Sequence, residues 1–319
     1  MPEGPTVRRF CSLVSPFVGQ VVVKAGGSTR QITLQDLKGQ MLQDCQVHGK
    51  NVYLAFGCGL LEKATPDDAR ELEDGEPHSP QEDKRLKDDA PSEDTAAVSS
   101  DQGSLGASKE NLLCNWLRFH FGLYGSVRAN ELSRARQGNK RGDWKDPTPR
   151  LILHFDAGRF LVFYNCRMTW CSSPFVEPTC DILSPQFDKE KALHALSRPR
   201  AVCLTLMDQR HFSGVGNIIK NEILFLAQTH PLSLGSHLPA ETLVALIDHA
   251  VSFTAEWLRH KMQNRGLRYH IYMKEYCERG HKVVKESIGP PSGLKRLTWY
   301  CPTCQKLVNA GEAGQPTVQ

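Results

Sequence analysis

The sequence predicts an α+β protein. Strand-forming segments crowd the first half of the chain, helical spacing takes over after Pro178, and two Cys/His pairs beyond Tyr269 mark a small metal-stapled hairpin. At 319 residues the chain is long enough for about two domains.

Pro5 to Val14 reads as a short helix, because proline is preorganised for a first helical turn. Val21-Val22-Val23 reads as a strand. Met41 to Phe56 reads as a hairpin that turns at His48-Gly49-Lys50-Asn51. Trp116 to Phe121, Tyr124 to Ala129, Leu151 to Phe155 and Phe160 to Tyr164 are rich in aromatic and β-branched residues and read as strands of one antiparallel structure. Asp156-Ala157-Gly158 supplies the turn between the last two. Helices are expected at Asp188 to Leu196, at Asn217 to Gln228 before His230-Pro231, and at Ala240 to Met262. In the last of these, Leu243, Leu246, Ile247, Ala250, Val251, Thr254, Trp257 and Leu258 recur at helical spacing and form a core stripe.

The stretch 58–111 is a different material. Leu72, Leu86, Val98 and Leu105 are its only large apolar residues between Glu62 and Glu110, and it has no aromatic there. Such a segment cannot bury enough surface to offset its ordering entropy, so it is expected to be a disordered insertion within the first domain. Residues 62–110 hold 15 acidic and 6 basic residues, net −9. Subtracting these from the whole chain's 35 and 39 leaves 20 acidic and 33 basic residues in the remainder, net +13. A body with that excess suits a polyanion such as nucleic acid. The 11 cysteines are odd in number, and the polar N-terminus carries no secretory signal, which favours thiols and metal ligands over disulfides. No apolar run approaches the roughly 18 residues of a membrane span.

Cys277-x3-His281 and Cys301-x2-Cys304 are separated by 19 residues. Each pair is within a turn's reach, and together they suit tetrahedral zinc with three sulfurs and one nitrogen. With all four positions filled by protein, one Zn2+ ion would be structural. It would staple a hairpin too small for its own core, with strands at Lys282 to Glu286 and Leu294 to Tyr300. Lys295 and Arg296 sit where that hairpin bends.

At the other end, removal of Met1 would leave Pro2 as a free secondary amine beside Glu3. An α-amino group titrates near pH ~7.7–8.0, so it is a usable nucleophile at neutral pH. Its adduct with an aldehyde carbon is a charged iminium, an electron sink that eases elimination, and a neighbouring carboxyl can move the protons. Ser213-Gly214-Val215-Gly216-Asn217 opens a helix whose backbone amides can receive a phosphate, with Asn217 and Lys220 adding side-chain donors. It is not a dinucleotide fingerprint, because Ile219 stands where a third glycine is needed. Lys50 is either a solvated turn residue or a group that grips a phosphate or moves a proton. Lys140, Arg141 and Trp144 share a basic loop that is either solvated or able to hold phosphates and stack on a base. Arg167 is a further phosphate or base contact.

In this order, Pro2-Glu3-Gly4-Pro5, Lys50 on a hairpin, Gly214-Val215-Gly216-Asn217 and the terminal Cys/His hairpin resemble the formamidopyrimidine-DNA glycosylase/endonuclease VIII family. The single-histidine ligand set and the acidic insertion look most like its second vertebrate endonuclease VIII-like branch. The resemblance implies an N-terminal two-layered β-sandwich with flanking helices (residues 1–176). A helix–two-turns–helix DNA-binding domain (177–268), the zinc hairpin (269–305) and a disordered tail (306–319) would follow. It further implies a bifunctional DNA glycosylase and abasic-site lyase of base excision repair acting on a flipped-out nucleotide. Pro2 would attack C1′, Glu3 would protonate the sugar ring, and Lys50 would donate a proton in β-elimination. Asn217 would hold flanking phosphates, and Arg296 would assist δ-elimination. Oxidised pyrimidines are the favoured lesions.

Family members fill the gap left by the flipped base with a wedge on a loop after the Lys50 hairpin. Here the acidic insertion occupies that stretch and no wedge is assigned, so already unpaired or bubble DNA is expected to suit the enzyme better. A DNA substrate implies the nucleus, a monomer is expected, and the role of the insertion is open: contact with repair-protein partners, autoinhibition or none. The competing reading is a noncatalytic nucleic-acid-binding zinc protein, which would have no use for a free terminal amine.

Overall fold

Period-two patterning in the first half builds one antiparallel sheet from β1 (Val22–Gly26), β2 (Gln40–His48), β3 (Asn51–Cys58), β4 (Asn115–Ala129), β5 (Leu151–Phe155) and β6 (Phe160–Cys171). The strands lie in the order β1-β5-β6-β4-β3-β2. Val21, just ahead of β1, bridges Met41 of β2, so the two edges of the sheet meet. The two layers are therefore halves of one curled sheet. Its interior holds Phe56, Phe119, Phe121, Phe155 and Phe163, with the Phe119 and Phe163 rings stacked 4.5 Å apart. The computed structural model describes residues 2–58, 115–135, 145–290 and 292–308. Apart from Cys58 at the end of β3, the expected acidic insertion lies outside the described residues.

Two strand expectations are corrected. The segments on either side of Gly122 are one strand, β4, whose pairing with β6 slips between Phe121 and Ser126. Tyr124 takes a left-handed φ of 60° at the slip and Asn165 of β6 takes 43°, so both strands bend together there. β6 also runs seven residues past Tyr164, because its far half pairs with β4 from Trp116 to Phe121.

The second half is helical: α2 (Lys189–Leu196), α3 (Val202–Thr205), α4 (Asn217–Leu226) and α5 (Ala240–Met262). Asp188 caps α2 by accepting from the Glu190 and Lys191 backbone N–H groups at 3.1 and 2.9 Å. α4 ends two residues before Gln228, which adopts a left-handed φ of 50°. Ile219 and Ile223 of α4 share a buried cluster with Leu246, Ala250 and Phe253 of α5. The hairpin of β7 (Val284–Ile288) and β8 (Arg296–Tyr300) packs Ile288 and Tyr300 on the same cluster. Val308, which the sequence assigns to the tail, is held by a 3.2 Å bond from its N–H to Ser233 Oγ.

α1 (Gly4–Val14) joins the halves. Val7, Phe10 and Val14 enter the sheet's core, while Arg9 donates to Asn264 beyond α5 at 3.2 Å. The helix therefore fixes where the N-terminal residues sit relative to α4. No helix among the described residues is long and apolar enough to cross a membrane.

Candidate active site

The start of the chain is anchored from both sides. Gly4 N–H donates to Gly214 O at 2.9 Å. The Glu3 carboxylate, 3 % exposed, accepts from the Ile218 N–H at 2.7 Å and the Ile219 N–H at 3.0 Å. The positive end of α4 thus receives an internal carboxylate. This corrects the expectation that the amides at this helix start are open to a phosphate: Glu3 holds two of them, and Gln209 Oε1 takes the Gly214 N–H at 3.1 Å. Close approach requires glycine here. A Cβ on Gly216 would lie 2.2 Å from the Glu3 Cδ, and one on Gly4 would lie 3.2 Å from the Gly214 Cα.

The β2–β3 turn docks on the same loop. Gly49 takes a φ of +54°, and a Cβ there would lie 2.0 Å from Ser213 Oγ. Asp181, itself buried, organises this contact. Its Oδ2 accepts from the Gly49 N–H at 2.9 Å and from Arg8 at 3.1 Å, and its Oδ1 accepts from the Leu183 N–H at 3.0 Å. The His48 ring lies between Asp181 Oδ2, 3.5 Å from Nδ1, and Ser213 Oγ, 3.4 Å from Nε2. Burial pushes the His48 pKa below its ordinary value, which favours the neutral ring.

This docking buries Lys50 to 6 % exposure, so it is not a solvated turn residue. Burial brings its pKa down to about 8, with Glu3 opposing the shift and Arg296 adding to it. Burial likewise pushes Glu3 upward, against the Lys50 charge and the two α4 amides. Glu3, Lys50 and Arg296 therefore share one electrostatic neighbourhood, although they come from the chain's start, its first hairpin and its last strand. Pro2, adjacent to Glu3, is half-buried.

Lys220 departs from its expected place as a phosphate donor. It is 2 % exposed, and its ammonium donates to Asn217 Oδ1 at 3.0 Å and Thr298 Oγ1 at 2.7 Å. Asn217 also donates from Nδ2 to Leu297 O at 2.8 Å. Together these bonds lock the start of α4 to β8. Arg167 is exposed on β6 opposite His120, whose Nδ1 lies 3.1 Å from Asn51 Oδ1. Burial lowers the His120 pKa, and Lys50, Arg118 and Arg167 add to the shift, so these cations cluster beside the turn. Lys140, Arg141 and Trp144 lie outside the described residues.

At the far end, the ligand atoms of Cys277, His281, Cys301 and Cys304 all lie within 4.8 Å of one another. Cys304 Sγ is 3.2 Å from His281 Nδ1 and 4.0 Å from Cys277 Sγ. Edges of about 3.8 Å follow from tetrahedral zinc–thiolate bonds, so the donor set and its spacing fit that ion. Gly280 permits the tight first pair with a φ of +79°. Sequence reasoning missed Glu222 of α4. This buried carboxylate accepts from the His270, Ile271 and Tyr272 N–H groups at 2.7, 3.2 and 2.8 Å, and so fixes the approach to the Cys/His cluster. A carboxylate directly before the apolar run Ile223 to Leu226 was the available signal.

Comparison with known proteins extends this description. Residues 178–265 match the formamidopyrimidine-DNA glycosylase H2TH domain. Endonuclease 8-like 2 from Mus musculus is 47 % identical, covering 99 % of this chain and 100 % of that protein. The protein of the same name from Homo sapiens is 47 % identical, with 96 % of each chain covered. In fold, the chain resembles formamidopyrimidine-DNA glycosylase from Lactococcus lactis, solved non-covalently bound to DNA containing an abasic site. The TM-score is 0.63 at 18 % identity, over 95 % of this chain and 99 % of that one. It also resembles MutM in complex with DNA containing carbocyclic 8-oxo-G, with a TM-score of 0.63 at 18 % identity over 96 % of this chain and 100 % of that one.

Proposed function

This chain belongs to the formamidopyrimidine-DNA glycosylase/endonuclease VIII family, in its endonuclease 8-like 2 branch, and from that premise we propose that it excises oxidised pyrimidines through a Schiff base on Pro2. It is a DNA glycosylase of base excision repair and an abasic-site lyase. The observation that carries the mechanism is the buried Glu3 carboxyl, held by the first amides of α4 and electrostatically coupled to Lys50.

Removal of Met1 leaves the Pro2 nitrogen as a secondary amine. It attacks C1′ of the flipped nucleotide as the base departs, and Glu3 protonates the opening sugar ring. Burial raises the Glu3 pKa, so more of the acid form is present near neutral pH than for an exposed carboxyl. The resulting iminium acidifies C2′; the Glu3 carboxylate left by ring protonation takes that proton, the C3′–O bond breaks, and the 3′ phosphate departs in β-elimination. Lys50, still largely cationic below its pKa of about 8, donates a proton to the departing phosphate. Arg296 approaches the second phosphate and assists δ-elimination, which leaves a gap with phosphate at both ends. Asn217 reaches a flanking phosphate by exchanging its bond to Leu297. Arg167, Lys140, Arg141 and Trp144 are the further DNA contacts. Lys220 acts behind this surface, by holding Asn217.

Cys277, His281, Cys301 and Cys304 would hold one Zn2+ ion, which would cross-link the hairpin in a structural role, since protein ligands would fill all four positions. The enzyme acts in the nucleus as a monomer, with partners reached through the acidic insertion, and favours unpaired substrates. Single-turnover reactions on a strand bearing one oxidised pyrimidine test the reading, in duplex and in a bubble. The expected product carries phosphate on both sides of the gap and forms faster in the bubble. A product ending in an unsaturated aldehyde would remove the δ step, and equal rates would remove the preference for unpaired DNA. A noncatalytic DNA-binding zinc protein would yield no cleavage on either substrate.

A further inference from the structure

Cys11 and Cys45 lie 34 residues apart in sequence, yet their sulfurs are 2.8 Å apart. Cys11 is on the third turn of α1, and Cys45 is on β2 directly opposite Leu54, a core residue of β3. A bulge between Leu42 and Asp44 sets the phase of this part of β2, and that phase puts Cys45 under the helix. Cys11 Sγ also lies 3.4 Å from Cys45 O. Among the described residues, the other sulfur–sulfur contacts belong to the C-terminal Cys/His cluster.

We propose that Cys11 and Cys45 form an oxidisable dithiol, which hydrogen peroxide converts into a disulfide that staples α1 to β2. The Cys11 thiolate attacks one peroxide oxygen, the O–O bond breaks, and the departing oxygen leaves as water. Cys11 is then a sulfenic acid. The Cys45 sulfur attacks the Cys11 sulfur, the S–O bond breaks, and hydroxide leaves as a second water with the Cys45 proton. Two thiols and one hydrogen peroxide give one disulfide and two waters.

The surroundings favour that order. The hydrogen bond from Cys45 is the main influence drawing the Cys11 thiol below its usual range, with Ser15 and Arg8 adding to it and burial and Asp44 opposing. The same bond and burial push Cys45 upward, which makes it the resolving thiol. Bonding shortens the sulfur separation to about 2.05 Å, so the backbone has little to move. The consequence concerns the elements at the site. α1 starts two residues after Pro2 and β2 ends two residues before Lys50. The staple therefore ties the carriers of the two groups together without displacing either. Nothing in this step depends on the chemistry proposed for Pro2.

The full-length, zinc-loaded chain is treated with stoichiometric hydrogen peroxide, alkylated and digested. The expected result is a peptide pair joined through Cys11 and Cys45, absent from Cys11→Ser, Cys11→Ala and Cys45→Ser chains. The thermal midpoint of the unsubstituted chain should rise by roughly 5–10 °C, as closing a loop of this length implies. Alkylation of both thiols after peroxide would overturn the proposal. So would sulfinic acid at Cys11 without a cross-link, or disulfides confined to other cysteines.

Discussion

Glu3 accepts a 2.7 Å hydrogen bond from the backbone N–H of Ile218, a residue 215 positions further along the chain. With the Ile219 N–H at 3.0 Å, this bond places the third residue of the chain at the positive end of α4. A helix start that would otherwise attract a phosphate instead orients an acid beside the terminal amine. Several consequences can be measured.

Glu3→Gln keeps the shape of the side chain but removes the proton donor and one amide acceptor. Excision of an intact lesion is expected to fall by at least ~10²-fold. Schiff-base formation on a preformed abasic site needs no base departure and should persist. Parallel single-turnover assays on the two substrates check this; equal losses would take Glu3 out of the glycosylase step.

Gly216→Ala should resemble the Glu3 variant while leaving every reactive residue chemically unaltered. The new Cβ would lie 2.2 Å from the Glu3 Cδ, so the carboxyl must leave its seat. Excision is expected to fall more than affinity for abasic DNA. A variant with normal excision would show that the seat is not required.

Lys50 gives a pH dependence with a definite sign. Its pKa of about 8 leaves it able to donate a proton below that value and progressively unable above it. Deprotonation of the Pro2 amine, near pH ~7.7–8.0, acts in the opposite direction, so β-elimination should follow a bell-shaped profile. Lys50→Arg retains its charge to high pH. It should be slower, but its alkaline limb should move upward. An unchanged alkaline limb would assign that limb to another group.

Asp181→Ala removes the acceptor shared by Arg8, Gly49 and, at longer range, His48. Destabilisation of about 2–4 kcal/mol is expected, because a buried partner is removed while Arg8 keeps some contact with water. Denaturant unfolding measures it.

Chelation of one zinc equivalent, or Cys301→Ser, should release the hairpin that carries Arg296. The expected signs are weaker binding to abasic DNA and products that stop after β-elimination. Unchanged binding and complete β,δ-cleavage would mean that the hairpin folds without the ion.

Much of this arrangement was legible in local patterns. The turn at His48–Asn51 follows from its glycine between alternating segments, and α5 runs from Ala240 to Met262 as its apolar spacing predicts. The Cys/His pairs converge as their spacing suggests. Long-range side-chain partnerships were not legible. Nothing near Asp181 in sequence marks it as the acceptor for Gly49, 132 residues earlier. Lys220 looked like a phosphate donor because charge at a helix start usually faces solvent; β8 covers it with Thr298 instead. The slip at Tyr124 was hidden because a strand interruption and a bent continuous strand share the same glycine-flanked signature.

The most direct test of the central claim is borohydride trapping on DNA carrying an abasic site, with the free N-terminus compared with one blocked by a short extension. The account predicts a covalent adduct only when Pro2 is free. An equal adduct from the blocked protein would contradict it and move the nucleophile to a lysine, with Lys50 the first to examine.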